Sequence, residues 1–247
     1  MIFRKKSKST SNSVSRLITD NAPFEYVEAY KAFRTNFNFL TANDINRKIV
    51  VTSAMRDEGK SSLAINLAIS LAQADNRVLL IDADLRNPSL HRYLRIIKDN
   101  KLGLSNLLSG SVKVGDCLIQ TKYNFDMIAG GPVPPNPAEL IASDAMRDLL
   151  NVAAEHYDYI ICDAPPVGII TDAAALSPLC DGVLYIIRQN YASKNQIHDA
   201  IKKLKSVNAK ILGAVMTQCV LSKEDGRKYG YRGYSYRYDN EMAEDLE

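Results

Sequence analysis

From about residue 47 to residue 220 the chain alternates short apolar, β-branched runs with longer stretches whose apolar positions recur every three or four residues. The runs are Lys48–Thr52, Arg77–Asp82, Phe125–Ile128, Tyr157–Asp163, Gly182–Ile187 and Ile211–Met216. Leu63, Leu67 and Leu71, at i+4 spacing, predict one helix between them. Asn136-Pro-Ala-Glu139 predicts the start of another, with Asn as N-cap, Pro in the first helical position and Glu three residues on. A third is predicted over Ser193–Val207. Strands that are apolar almost throughout, rather than every second residue, must be covered on both faces. The pattern therefore predicts an α/β fold: an open, mostly parallel sheet with helices on both faces. Upstream, Tyr30, Phe33, Phe37 and Leu40 fall on one face of a helix over 26–40, with Glu28, Lys31, Arg34 and Asn38 away from it. On the residues alone this is a helix docked on its own domain.

The two ends depart from that pattern. Residues 1–16 hold Arg4, Lys5, Lys6, Lys8 and Arg16 among many serines and no acid, which predicts a flexible arm, drawn here as 1–20. It reads either as a solvated tail or as a weak contact for anionic lipid. The folded domain is drawn as 21–222. Residues 223–247 are read as an exposed tail, because tyrosine, glycine and arginine there offer no alternation that buries one face. That tail runs from Gly226 through five of the chain's thirteen tyrosines to an acidic end at Glu247.

Composition narrows the classes. With 247 residues, 46% hydrophobic and 24% charged, the chain is long enough for one large domain and is not disordered, collagen-like or a disulfide scaffold. A net charge of +3 argues for neither nucleic-acid nor membrane binding. The four cysteines (Cys117, Cys162, Cys180, Cys219) and three histidines are scattered with no zinc-like spacing, which fits buried thiols in a reducing cytosol. No apolar run approaches a membrane span, and the basic start lacks a signal peptide's apolar region, so a cytoplasmic location is expected.

The chemistry sits at strand ends. Thr52-Ser-Ala-Met-Arg-Asp-Glu-Gly-Lys-Ser-Ser62 lies between a strand and a helix and reads as a phosphate loop, with Ala54 where the usual leading glycine falls. Backbone N–H groups at the helix start cradle phosphate oxygens, Lys60 neutralises them, and the Ser61 hydroxyl reaches Mg²⁺. A second apolar strand ends in Asp82 and Asp84, and Tyr157–Asp163 delivers another acid at its end. Ligands bind at strand C-termini in open parallel sheets, so three acids, one lysine and one hydroxyl there predict a Mg-nucleotide site.

These motifs together resemble the bacterial tyrosine kinases of capsule and exopolysaccharide synthesis, a branch of the MinD/ParA-like P-loop NTPases. The resemblance covers the chain from about Glu28 to the tail. It rests on the loop at 53–62, the acidic motif Leu80-Ile-Asp-Ala-Asp-Leu-Arg-Asn-Pro88, the strand ending at Asp163, and the segments 130–140 and 163–172. It implies nucleotide binding through Asp57, Glu58, Gly59, Lys60, Ser61 and Ser62, with ATP and Mg²⁺ as cofactors. Ser61, Asp82, Asp84 and Asp163 would surround the metal, and Asp82 would accept or orient the attacking tyrosine's proton. It further implies autophosphorylation at Tyr229, Tyr231, Tyr234, Tyr236 and Tyr238, and a ring-shaped homo-oligomer built through Glu28, Lys31 and Arg34. The implied partners are a membrane chain-length regulator, whose cytoplasmic tail activates the kinase at the inner face of the plasma membrane, and a phosphotyrosine phosphatase. No nucleic-acid partner is implied. Five phosphotyrosines at about −1.5 to −2 each would turn the net charge from +3 to about −5 to −7, so phosphorylated subunits should repel.

The chain departs from the family at three places. Arg56-Asp57 stands where Pro-Gly is usual and adds a carboxylate to the loop; Lys31 replaces an arginine; and Met216-Thr-Gln218 stands where relatives carry a base-binding asparagine. Two other readings compete: a MinD/ParA-like ATPase, and a nucleotide-gated scaffold without kinase activity. The first expects an early loop lysine that Ser53-Ala54-Met55 lacks, and the second has no need of Lys60, Asp82, Asp84 and Asp163.

Overall fold

The computed structural model describes residues 17–19, 22–41, 47–96 and 102–219. In chain order these form α1 (Phe24–Thr41), β1 (Arg47–Ser53), α2 (Lys60–Ala72), β2 (Val78–Asp82), α3 (Leu90–Tyr93), α4 (Leu104–Leu108) and α5 (Val114–Cys117). There follow β3 (Leu118–Gln120), β4 (Asp126–Ile128), α6 (Pro137–Ile141), α7 (Asp144–His156) and β5 (Tyr159–Asp163). The described chain ends with α8 (Asp172–Leu176), β6 (Gly182–Arg188), α9 (Lys194–Ser206) and β7 (Ile211–Thr217). The strands form a seven-stranded sheet in the order β3-β4-β2-β5-β1-β6-β7. Every pairing is parallel except β3 with β4.

Successive strand residues point to opposite faces, so each strand feeds two cores. On β1, Val50 joins one core while Ile49 and Val51 join the other; on β5, Ile160 and Cys162 oppose Tyr159 and Ile161. Helices α1 and α2 cover one face, and α4, α6, α7, α8 and α9 cover the other. The predicted layer architecture follows, because both faces of every central strand are apolar.

Helix α2 is buried along its length from Leu63 to Ala72, including the polar Asn66. Asn66 satisfies itself by joining three segments. Its Oδ1 accepts the Ile18 N–H at 2.9 Å, and its Nδ2 donates to the Tyr26 and Tyr30 hydroxyls at 2.9 and 3.3 Å. Leu17 and Ile18 thereby pack onto the domain, so the arm drawn as 1–20 is too long at its C-terminal end. A run of aromatic contacts ties α1 to the sheet: Phe33 to Phe37 at 6.1 Å between ring centroids, and Phe37 to Tyr159 of β5 at 5.7 Å.

Several expectations need correction. Leu40 shares the predicted stripe but is 48% exposed, because α1 has by then reached the outer strand and Leu40 lies beside Gly213 of β7. Asn136 occupies the N-cap position of α6, yet its side chain makes no cap bond; its Nδ2 donates instead to Glu139 Oε2 at 2.8 Å. Tyr157 and Asp158 precede β5 rather than belonging to it: Asp158 pairs with Arg77 at 2.7 Å, and the two close the strand entrances. The edge strand β3 was not anticipated. The thiols are neither all buried nor all apart: Cys219 is exposed, and Cys162 and Cys180 lie side by side.

Phe37 has no exposed surface and is the hinge between α1 and β5. Phe37→Ala should cost about 3–5 kcal/mol of unfolding free energy in urea titration, by lost burial plus the cavity left behind.

Candidate active site

The loop between β1 and α2 is held from below by contacts that no local pattern announces. Glu58 is fully buried, and its carboxylate accepts the Met55 N–H at 2.6 Å and the Arg188 N–H at 3.2 Å. The Thr217 hydroxyl donates to the Glu58 carbonyl at 2.7 Å, and the Arg188 guanidinium donates to the Asp57 carbonyl at 3.1 Å. Residues at the ends of β6 and β7 thus fasten the loop. Asp57 sits at φ 58° and Gly59 at φ 89°. The left-handed backbone explains why a glycine is usual at 57 and why aspartate, which tolerates that region, can replace it. Ala54 needs no positive φ, so losing the leading glycine costs nothing there; the close approach is met from the other side by Gly168, where a Cβ would fall 2.2 Å from the Ala54 carbonyl.

Asp82 and Asp163 end adjacent parallel strands and are direct register partners. Both are essentially buried. The backbone N–H groups of Ser89 and Leu90 donate to Asp82 Oδ2 at 2.8 and 3.0 Å, while Asp82 Oδ1 and Asp163 Oδ1 have no hydrogen-bond partner. Burial, reinforced by the neighbouring Asp163 carboxylate, pushes the Asp82 pKa up to about 8. Burial likewise raises Asp163 to about 6, against the pull of the Lys60 ammonium and the Ser61 hydroxyl beside it. Asp84 lies half-buried past the strand end, accepting the Asn87 N–H at 3.0 Å.

These groups open onto a cleft of about 1140 Å³. Of the residues predicted for the site, Asp57, Gly59, Lys60, Ser61, Asp84 and Asp163 line it. Asp82 stands directly behind them. Glu58 turns its side chain into the protein, and Ser62 does not line the cleft. Among the described residues no three His, Cys, Asp or Glu side chains form a ready-made metal cage. The donor set still fits Mg²⁺, which keeps several waters and is held by one or two carboxylates with substrate phosphates. Two buried carboxylate oxygens without partners, beside a lysine, a serine hydroxyl and the N-terminus of a thirteen-residue helix, are the complement of a Mg-phosphate group.

The structure adds residues that sequence reading gave no role. Arg86 makes a two-pronged pair with the buried Asp172, at 2.8 and 3.1 Å, and locks the turn after Asp82 to α8. Arg188 and Thr217 clamp the loop. All three contacts join residues far apart in sequence. Glu28 and Lys31 pair with each other at 2.7 Å, and Arg34 donates to the Ser70 carbonyl of α2. Tyr229, Tyr231, Tyr234, Tyr236 and Tyr238 lie outside the described residues.

Comparison with known proteins gives the family. A family model described as an AAA domain matches residues 46–215. The tyrosine-protein kinase YwqD of Bacillus subtilis is 37% identical over 207 residues, covering 83% of this chain and 86% of that protein. The chain belongs to the bacterial tyrosine-protein kinases. The solved kinase domain of the Escherichia coli tyrosine kinase ETK superposes with a TM-score of 0.76 at 33% identity, covering 84% of each chain. MinD of Pyrococcus horikoshii, solved with Mg-ADP, shares the fold at a TM-score of 0.60 and 22% identity, over 72% of this chain and 73% of that one. The kinase therefore has the predicted MinD-like P-loop architecture. Among the described residues no helix is long and apolar enough to cross a membrane.

The raised carboxylate of Asp82 makes stability depend on pH. Its unfolded pKa is near 3.9 and its folded value about 8, so across that window the folded state holds a proton that the unfolded state has lost. Stability of the ligand-free kinase should fall as pH rises from about 4 to 8. Asp82→Asn should flatten the fall, gaining on the order of 3 kcal/mol over wild type between pH 5 and pH 8 in paired urea titrations. Parallel pH profiles would show that Asp82 is not the group responsible.

Proposed function

We propose that this kinase transfers the γ-phosphoryl group of ATP to tyrosine hydroxyls, its own Tyr229, Tyr231, Tyr234, Tyr236 and Tyr238 among them. The observation that carries the reading is the pair of buried, unpartnered carboxylate oxygens of Asp82 and Asp163 on adjacent strand ends, with Lys60 and Ser61 beside Asp163. Phosphoryl transfer asks a protein chiefly for positioning and for charge opposite the phosphates. Main-chain N–H groups at the start of α2 receive phosphate oxygens, and Lys60 neutralises them. Mg²⁺ held by Ser61 and, through water, by Asp84 and Asp163 would supply the remaining positive charge.

Asp82 is held for a different task. Two backbone N–H groups fix its Oδ2, leaving Oδ1 to take a proton. The acceptor's phenolic oxygen forms the new bond to the γ-phosphorus as the bond to the β–γ bridging oxygen breaks, ADP departs, and the phenolic proton passes to Asp82. In the empty cleft Asp82 carries a proton at pH 7, so its ionisation is tied to the arrival of positive charge in the cleft.

The family resemblance supports the wider assignment: control of exopolysaccharide or capsule synthesis and export, in the cytoplasm, with recruitment to the membrane through a chain-length regulator. It also supports the ring built on Glu28, Lys31 and Arg34, the counteracting phosphatase, and the division into arm, kinase domain and tail at 223–247. An exposed pair such as Glu28–Lys31 is worth at most about 1 kcal/mol, so exchanging it for contacts with a neighbouring subunit costs little.

Incubation with Mg-ATP and the regulator's cytoplasmic tail, followed by phosphotyrosine mapping by mass spectrometry, tests the reading. Phosphate is expected on tyrosines between 229 and 238, and absent from a Lys60→Met control. Phosphate release without phosphotyrosine would replace the kinase reading with an ATPase, and nucleotide binding with neither product would replace it with a scaffold.

A further inference from the structure

The cleft does not end at the phosphates. Beyond β2 it continues as a groove walled by Arg92, Tyr93 and Arg95 of α3 and the residues after it, and by Lys122 and Tyr123 of the turn between β3 and β4. Because β4 runs parallel to β2 and begins level with Leu79, that turn lies toward the opposite edge of the sheet from Asp82. The groove therefore descends from the reacting centre down the face that carries α1 and α2.

Its charge is one-sided. Arg92, Arg95 and Lys122 are exposed, and none forms an ion pair among the described residues. Arg92 reaches only the Pro88 carbonyl at 3.2 Å and Asn87 Oδ1 at 3.5 Å, and the Lys122 ammonium rests over the Tyr123 ring at 5.1 Å. The acids of the cleft, Asp57, Asp84 and Asp163, belong to its phosphate end. Lys60 and the loop already serve the phosphates, which leaves this basic, aromatic rim without a task in nucleotide binding.

The chain contains a segment of complementary chemistry. Residues 239–247 carry Asp239, Glu241, Glu244, Asp245 and Glu247 with no lysine or arginine, directly after the tyrosine cluster. We propose that the rim of Arg92, Tyr93, Arg95, Lys122 and Tyr123 is the docking surface for the acidic segment 239–247 of this kinase. The proposal rests on the kinase reading above and adds how the acceptor is presented.

Topology says what docking would achieve. The chain leaves the sheet at the end of β7, five strand spacings from β4, or about 24 Å at about 4.8 Å per spacing. The twenty residues from Cys219 to Asp239 can extend about 66–72 Å, ample for that crossing and for the descent into the groove. A segment crossing from β7 to dock beside β4 would have to pass the ends of β6, β1, β5 and β2, where Lys60, Asp163 and Asp82 sit. Tyr229 to Tyr238 occupy that stretch. Anchoring the acidic end at the far rim thus suspends the acceptor tyrosines over the reacting centre. The segment of a second copy presents the same charges to the same rim. The basic arm at 1–16 is excluded as occupant by like charge.

Binding separates docking from catalysis. The receiver is the full chain with Asp239→Asn, Glu241→Gln, Glu244→Gln, Asp245→Asn and Glu247→Gln, so that its own segment does not compete. The probes are fluorescein-labelled peptides of residues 226–247, one native and one with the same five amides, followed by anisotropy. The native peptide should bind more tightly than the amide peptide. Adding Arg92→Glu, Arg95→Glu and Lys122→Glu to the receiver should weaken the native peptide on the order of tenfold and should not weaken the amide peptide, which Arg227, Lys228, Arg232 and Arg237 leave cationic. Raised salt should erase the difference between the peptides. Equal binding of the two peptides, or equal weakening of both by the rim substitutions, would overturn the proposal. So would an equal loss of ATP affinity, which would assign the rim to the nucleotide. Unfolding midpoints check that the surface variants fold, and single neutral changes (Arg95→Gln, Lys122→Gln) should move native-peptide binding in the same direction. Because the readout needs no turnover, docking without phosphotyrosine would sink the kinase reading alone, whereas phosphotyrosine formed with no preference for the native peptide would sink docking alone.

Discussion

The register between β2 and β5 is the constraint on which the site depends. It sets Asp82 opposite Asp163 at the ends of neighbouring strands, both cut off from water and each with one oxygen unpartnered. A slip of one residue would send one carboxylate through the sheet to the other face. Burying two like charges side by side is unfavourable in a folded protein, and both respond by holding protons above the ordinary carboxylate range. Such an arrangement makes sense where positive charge arrives from outside. It is a local violation of good packing of the kind found at functional sites.

Much of the remaining structure keeps that register and the loop facing it in place. Two apolar cores hold the strands from both faces, and the aromatic contacts from α1 reach β5 directly at Tyr159, four residues before Asp163. The loop is fastened from below by Arg188, Glu58 and Thr217, and the turn after Asp82 is fastened by Arg86 to Asp172. The loop is thereby held by contacts made outside the cleft. Pre-organisation of this kind is what transfer of a phosphoryl group rewards.

The cleft also divides its charge. Its carboxylates lie at the loop end with Lys60, Arg56 and Arg86, while the rim beyond β2 carries Arg92, Arg95, Lys122 and two tyrosines with no acid among the described lining residues. If the acidic segment 239–247 docks at that rim as proposed, tethering replaces a bimolecular encounter between acceptor and site with a local one. Under the same proposal, phosphorylation of Tyr229–Tyr238 would add negative charge that Asp57, Asp84 and Asp163 oppose, so that release would draw on the same electrostatics as presentation.

How much of this was legible in the chain follows from the range of each interaction. Apolar runs alone placed six of the seven strands, because burial on both faces leaves a continuous pattern in sequence. Lys60, Ser61, Asp82, Asp84 and Asp163 could be singled out because each follows an apolar strand at a short offset, and the fold gathers them at one end of the sheet. Even Asp57 carried its own explanation, as a residue tolerant of the left-handed backbone found there. The three-residue strand β3 was not legible, being too short and too exposed to show a period. Nor were the clamps at Arg188 and Thr217, the Arg86–Asp172 pair, the adjacency of Cys162 and Cys180, or the inward turn of Glu58, which looked like a phosphate-loop residue. Each depends on which distant strand or loop arrives beside it, and only the tertiary fold decides that. Sequence by itself determined the elements and the chemistry they carry, because both are written in local spacing. The folded structure decided which side chains reach the cleft, which brace it, and which charges are left without partners, because those are properties of contacts between segments that the chain order does not bring together.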